Sequence, residues 1–356
     1  MEKIKKIVDR ISELDADCMN KTQERLNNLT KPLGSLGRLE EIARLIAGIT
    51  GKNTSKLRHK VIFTLAADHG ITEEGVSAYP KEVTAQMVYN FINGGAGINV
   101  LARHVGARVI VVDMGVAEKL TTHDSRLANF KDRKIAFGTK NFLKGRAMTR
   151  DEAIKSVETG IEIFEEEKAG GADIIGIGEM GIGNTTAASA ISACLTRRGA
   201  KDVTGRGTGI GDEALGKKID VIEKALKINK PDPNDPLDVL SKVGGFEIGG
   251  LVGIVLASAS HRTPVVMDGF ISTAAALIAY TIEPKIKGYL IASHSSVEKG
   301  HRVILDYMGL KPILNLDLRL GEGTGAALGI SIVEASVRIL NEMATFKSAN
   351  VSERSK

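Results

Sequence analysis

Two glutamates of this chain lie inside glycine runs: Glu179 in "GIGEMGIGNTT" (176–186) and Glu322 in "LRLGEGTG" (318–325). A solvated surface glutamate needs no such neighbours. Flanking glycines let a substrate come close to the carboxylate, and a short loop holds it in place. A carboxylate so placed can take a proton or stabilise a developing cation. The plainer alternative makes each one a turn residue capping the helix that follows.

The first run also reads as a strand, a glycine turn and a helix. "GADIIGIG" (171–178) is apolar, Gly181 and Gly183 bracket Ile182, and "NTTAASA" (184–190) is helix-forming. Such a turn presents backbone N–H groups and the positive end of a helix, which suits a phosphate. Asn184, Thr185 and Thr186 add polar side chains. The run lacks the GK[ST] ending of a nucleoside-triphosphate loop. It also lacks a spaced GxGxxG with a ribose-binding acid about twenty residues on. A monophosphate is what remains. A second glycine turn, "GRGTGIGDEALGKK" (205–218), brings Lys217 or Lys218 as a candidate cation.

Polar residues recur where apolar runs end: Asp68-His69-Gly70, Asp113, Asp268-Gly269 and His294, with Arg319 after the last run. In open α/β sheets ligands sit outside the carboxyl ends of the strands. His69 and His294 read equally as substrate contacts or as hydrogen-bonded strand-end residues, and Asp113 as an acceptor for loop amides. The seven histidines include no HExxH and no ligand-spaced pair, so no metal site is expected.

The elements that carry these residues form an α/β pattern. Short apolar runs at 60–67, 107–113, 172–178, 264–268, 288–293 and 312–317 alternate with helix-length segments. Buried parallel strands have this appearance. The expected architecture is a doubly wound, mostly parallel sheet over 60–324, carrying the site. Residues 1–50 and 325–350 are expected to form a smaller helical domain. A long amphipathic helix is expected over 324–346, and residues 211–240 read as a proline-punctuated surface connection.

Composition narrows the function. The chain has 356 residues, is 43% hydrophobic and carries a net charge of +5 with 4% aromatic residues. No arginine-rich arm interleaved with aromatics is present, which argues against nucleic acid as a partner. Cys18 and Cys194 form no CxxC pair and read as reduced residues. The run "IGGLVGIVLASAS" (248–260) is too short to span a bilayer. A cytoplasmic protein is expected.

Several strings, in order, resemble one family. They are "LTKPLGSLGRLEEIA" (29–43), "AADHGITEEGVSAYPKEVTAQM" (66–87), "GGAGINVLARHVGA" (94–107), "GIGEMGIGNTTAASA" (176–190), "GRGTGI" (205–210), "VVMDGFISTAAAL" (265–277) and "LRLGEGTGAALG" (318–329). The family is nicotinate-nucleotide–dimethylbenzimidazole phosphoribosyltransferase, and the resemblance runs from about residue 15 to 345. It implies transfer of 5-phosphoribosyl from nicotinate mononucleotide to 5,6-dimethylbenzimidazole, by a homodimer needing no cofactor or metal. It also implies Glu322 as the catalytic residue. Glu179, Gly181, Ile182, Gly183, Asn184, Thr185, Lys218, Asp268 and Gly269 would hold the phosphate and ribose. Ser77, Ala78, Tyr79, Gln86 and Leu320 would hold the base. Two rival readings are the same transfer to another base (benzimidazole, adenine or a phenol) and a non-catalytic nucleotide-binding subunit.

Overall fold

The computed structural model describes residues 1–120 and 129–352. Six strands form one sheet: β1 (Lys60–Ala67), β2 (Ala107–Gly115), β3 (Phe130–Asp132), β4 (Ile174–Met180), β5 (Val265–Met267) and β6 (Leu290–Ala292). Their order is β3-β2-β1-β4-β5-β6, and every pair is parallel. The chain builds outward from β1 in one direction and then from β4 in the other. A crevice therefore opens between the carboxyl ends of β1 and β4, where doubly wound sheets bind ligands.

The strands are apolar throughout because both faces are covered. Val61, Phe63 and Leu65 join one core with Ile110, Val112, Ile175 and Ile177, while Ile62 and Ala66 join a second with Val109, Val111 and Ile174. This is the two-residue alternation of a pleated strand. The first face is covered by α1 (Glu2–Val8), α6 (Arg150–Ala169), α11 (Phe246–Ser260) and α12 (Phe270–Ile282). The run that was too short to cross a bilayer lies in α11, which is buried on nearly all sides. Its Gly253 lets α6 pack close, since a Cβ there would fall 2.0 Å from the Val157 carbonyl oxygen.

The second face carries α3 (Arg38–Thr50), α4 (Val83–Ile92), α5 (Gly97–Val105) and α14 (Thr324–Glu342). The first half of α14 packs on the sheet through Ala326, Ala327, Ile330 and Val333. Its far end shares a small separate cluster, Leu26, Leu29, Ala43 and Leu340, with α2 (Ala16–Asn27) and α3. Beyond these lie α7 (Asn184–Thr196), α8 (Ala200–Val203), α9 (Asp212–Asn229), α10 (Pro236–Val243), α13 (Lys299–Met308) and α15 (Phe346–Ala349).

The α/β class and parallel sheet agree with the sequence reading, with local differences. The segment 312–317 is not a strand: its Leu314 makes an isolated parallel bridge with His294, past the end of β6. Instead β3, Phe-Lys-Asp in sequence, completes the sheet. The stretch 211–240 contains the whole of α9 and the start of α10. The last long helix stops at Glu342, before a short turn and α15. Cys18 and Cys194 are free. Among the described residues, no helix is long and apolar enough to cross a membrane.

Candidate active site

β4 runs two residues further than its apolar core, so Glu179 is the penultimate residue of a strand and not part of a loop. It is buried, and one of its oxygens accepts a hydrogen bond from the Asn184 side-chain amide. Burial pushes its carboxyl well above the usual range, and Asp268, Glu247 and Glu322 push in the same direction. The chain then turns through Gly181–Gly183, with Gly183 at φ +97, and enters α7. Only a residue without Cβ takes that conformation at low cost.

The turn's amides are partly committed within the protein. Ile182 N–H donates to Thr84 Oγ1 at 3.1 Å. Asn184 N–H donates to the Gly181 carbonyl and Thr186 N–H to that of Gly183. Thr185 Oγ1 accepts from Lys218 Nζ at 2.7 Å. Lys218 is buried, and desolvation lowers its pKa to about 8 against the opposing pull of Glu298. Lys217, the other candidate, leads elsewhere: its ammonium lies near Gly75.

Glu322 stands at the entry to α14 with φ +65, an uncommon backbone for a side-chain-bearing residue. The packing around it explains how that conformation is held. Asp268, at the end of β5, accepts from Gly323 N–H at 2.9 Å and from Gly325 N–H at 2.7 Å. Thr64 donates its hydroxyl to the Glu322 carbonyl oxygen at 2.8 Å. The Glu322 side chain points at the start of α5, where its Oε2 accepts from Ile98 N–H at 3.1 Å. Among the described residues nothing hydrogen-bonds its Oε1. Burial raises the Glu322 carboxyl above its ordinary range, the Ile98 amide opposes this, and Asp268 adds to it.

A cavity of about 380 Å³ lies among these groups. Its walls include Glu179, Gly181, Ile182, Asn184, Thr185, Gly269, Glu322, Leu320 and Tyr79 from the expected set. Lys218 and Asp268 stand behind that wall, each hydrogen-bonded to a residue beside the cavity. Ser77 and Ala78 are also outside the lining, attached to it through Thr208. Gln86 is exposed on α4 and does not line the cavity, whereas Val83 and Met87 of the same helix do.

Sequence reasoning passed over several residues here. Glu298, which lines the cavity, follows the β6 end by a few residues, and the strand-end rule applied one turn further would have reached it. Ser296 also lines it, held by His301: burial lowers that imidazole's pKa to about 3, so its neutral Nδ1 accepts the Ser296 N–H at 3.0 Å. His69 is not a wall residue. Its Nε2 is 2.7 Å from Glu247 Oε1 in a fully buried pair beneath the Gly181 turn, and no local sequence signal points to Glu247. His294 does line the cavity, with Nε2 at 3.5 Å from Asp268. Asp113 accepts from the Gly115 and Val116 amides and pairs with Lys134, away from the cavity. Among the described residues no three His, Cys, Asp or Glu side chains are arranged to hold a metal ion.

The cavity thus joins a helix N-terminus and a buried lysine on one side to carboxyls in the middle and an apolar rim, Tyr79, Val83, Met87 and Leu320, on the other. Comparison with known proteins bears on what such a site accepts. A family model described as "Phosphoribosyltransferase" matches residues 11–351. The chain is similar to the nicotinate-nucleotide–dimethylbenzimidazole phosphoribosyltransferase of Geobacter sulfurreducens, 56% identical over 346 residues and 97% of each chain. It is similar to that of Desulforudis audaxviator, 54% identical over 353 residues and 99% of each. Among solved structures it resembles CobT from Thermus thermophilus, with a TM-score of 0.91 and 43% identity over 95% of this chain and 100% of that one.

Proposed function

The chain belongs to the nicotinate-nucleotide–dimethylbenzimidazole phosphoribosyltransferases, and on that premise we propose a role for each residue around the cavity. The reaction moves 5-phosphoribosyl from nicotinate mononucleotide to 5,6-dimethylbenzimidazole, giving α-ribazole 5′-phosphate and nicotinate. The nicotinate ring leaves as the C1′–N bond electrons return to its cationic nitrogen, so no acid is needed to expel it. The ribosyl centre becomes cationic, and carboxylates beside it stabilise that charge. An imidazole nitrogen of the acceptor attacks C1′ from the opposite face, turning the β-nucleotide into the α product. The ring is then cationic, and its second N–H must lose a proton.

Glu322 is the base that takes this proton. The observation that carries the assignment is the division of its carboxylate: Oε2 is held by Ile98 N–H, while Oε1 has no protein partner among the described residues. Its raised pKa makes it a stronger base than an ordinary glutamate. Glu179 is more completely enclosed and surrounded by other acids, so it holds its proton more tightly and serves as a hydrogen-bonding wall for the ribose.

The phosphate docks at the start of α7, against Gly181–Thr185, with the Lys218 ammonium as counter-charge behind Thr185. Asp268 and Gly269 border the ribose, with Asp268 acting through the Glu322 loop. The flat base lies against Tyr79 and Leu320, over the segment Ser77–Tyr79, with Val83 and Met87 of α4 beside it in place of Gln86. We take residues 60–324 as the catalytic unit. The smaller helical unit of residues 1–50 with 325–350 has a core of its own in the Leu26, Leu29, Ala43 and Leu340 cluster, while its α1, α3 and the first half of α14 pack on the sheet. We read the protein as a cytoplasmic homodimer, supported by its free cysteines and by exposed apolar side chains (Tyr79, Leu316 and Leu320) that a second copy would cover.

The test offers the protein nicotinate mononucleotide with equal dimethylbenzimidazole, benzimidazole, adenine and p-cresol, resolving products by mass. Each buried methyl adds about 0.8 kcal/mol, so dimethylbenzimidazole should exceed benzimidazole by roughly tenfold. Adenine should trail further, because its polar edges would go unpaired against the apolar rim. A win for adenine or cresol would overturn this placement of the base.

A further inference from the structure

The second glycine turn touches both halves of the cavity. Gly207, at φ +52, donates its N–H to Glu298 Oε1 at 2.8 Å. A Cβ at Gly207 would lie 2.7 Å from Thr185 Oγ1 and 3.1 Å from Lys218 Nζ, so this residue is the backbone wall of the nucleotide side. The next residue faces the other way. Thr208 Oγ1 accepts the Ala78 N–H at 3.0 Å and lies 3.3 Å from Ser77 Oγ, which in turn accepts the Tyr79 N–H at 3.2 Å.

The turn between these anchors is closed on itself. Gly209 and Ile210 N–H both donate to the Arg206 carbonyl, and the Arg206 guanidinium donates to the Ile210 carbonyl. A closed turn moves as a piece, so displacement of Gly207 is passed to Thr208.

We propose that Thr208 is a positioning residue for the acceptor base, making the base-side segment Ser77–Tyr79 respond to occupancy of the nucleotide side. Ribosyl phosphate against Thr185 and Lys218 fixes Gly207. Thr208 then holds the Ala78 amide and, through Ser77, the Tyr79 amide in the arrangement that receives the base. Coupling of this kind is reciprocal: the base must strengthen phosphate-side binding by the same factor. The inference rests on the placement of phosphate and base proposed above.

The experiment is calorimetric titration of the full-length protein with dimethylbenzimidazole, with and without saturating ribose 5-phosphate as an unreactive stand-in for the nucleotide. In the wild type, ribose 5-phosphate should tighten base binding by roughly fivefold or more. T208V keeps the side-chain shape without the hydroxyl and should lose the enhancement while binding ribose 5-phosphate normally. T208S, which keeps the hydroxyl, should restore it. In turnover, T208V should raise KM for the base, and with dimethylbenzimidazole saturating it should lose the matching gain in ribose 5-phosphate affinity that the wild type shows. Enhancement of equal size in T208V, or none in the wild type, overturns the proposal. Failure of Y79A to alter base affinity would refute the placement of the base, and failure of ribose 5-phosphate to bind would refute that of the phosphate. Either result removes the premise of the coupling as well, and each is recognisable separately from a lost enhancement.

Discussion

Replacing Glu322 by glutamine separates proton transfer from everything else the side chain does. The amide oxygen of E322Q can keep the 3.1 Å bond to Ile98 N–H. The φ of +65 applies to either residue, so the backbone strain cancels in the comparison. What disappears is the basic oxygen that the proposed mechanism turns toward the acceptor. A positioned general base contributes about 10²–10⁴-fold, or roughly 2.7–5.4 kcal/mol of barrier. E322Q should lose that factor in kcat with little change in KM for nicotinate mononucleotide. The same substitution should stabilise the fold at neutral pH. Burial and Asp268 raise the folded-state pKa of Glu322, so the anion is disfavoured in the folded protein. That penalty is absent below the ordinary value of 4.5, grows as pH rises through the elevated one, and is then constant. E322Q should therefore melt higher than wild type at neutral pH, with the difference closing as the pH falls below the ordinary glutamate value. Steady-state assays with mass-resolved α-ribazole phosphate and thermal melts at both pH values measure the two effects. A kcat within about threefold of wild type would refute the base assignment. A lower melting temperature at neutral pH would refute the electrostatic argument.

With Lys218 as the proposed counter-charge, only its ammonium form would serve the phosphate, and since burial lowers its pKa to about 8, kcat/KM for the nucleotide should fall as pH rises through that value. K218M should lack that limb and weaken nucleotide use by roughly 10- to 150-fold, the value of one charge-assisted hydrogen bond; a pH profile unchanged by the substitution would contradict this. G178A should be harmful on two counts, because the new methyl would lie 2.2 Å from Gly323 N and 2.4 Å from the Glu322 carbonyl carbon and oxygen. Overpacking against backbone costs about 1–3 kcal/mol, and here it displaces the Glu322 loop. Denaturant melts and kcat should both show loss, and a fully active G178A would mean the loop tolerates displacement.

The local sequence settled what depends on near neighbours. Apolar runs marked β1, β2, β4, β5 and β6 because a strand buried on both faces can carry few polar side chains. The glycines around Glu179 and Glu322 marked the tight turns, since few other residues adopt those backbone angles or leave that space. The resemblance of seven ordered strings named the reaction, which the family and structural matches support. Local signals failed where partners are distant. β3 is Phe-Lys-Asp, whose strand character comes from pairing with β2, and 312–317, apolar and strand-like, found only a single bridge. Glu247 meets His69 across 178 residues, Asp268 organises the Glu322 loop from 55 and 57 residues away, and Glu298 fixes Gly207 across 91. Spacing along the chain carries no information about such contacts. They exist because the parallel crossovers bring the carboxyl ends of β1, β4, β5 and β6 to one rim, where buried polar groups must find one another. The sequence by itself determined five of the six strands and the glycine turns beside Glu179 and Glu322. Only the tertiary structure decided which carboxylate is held, which is left open, and which turn joins the two halves of the cavity.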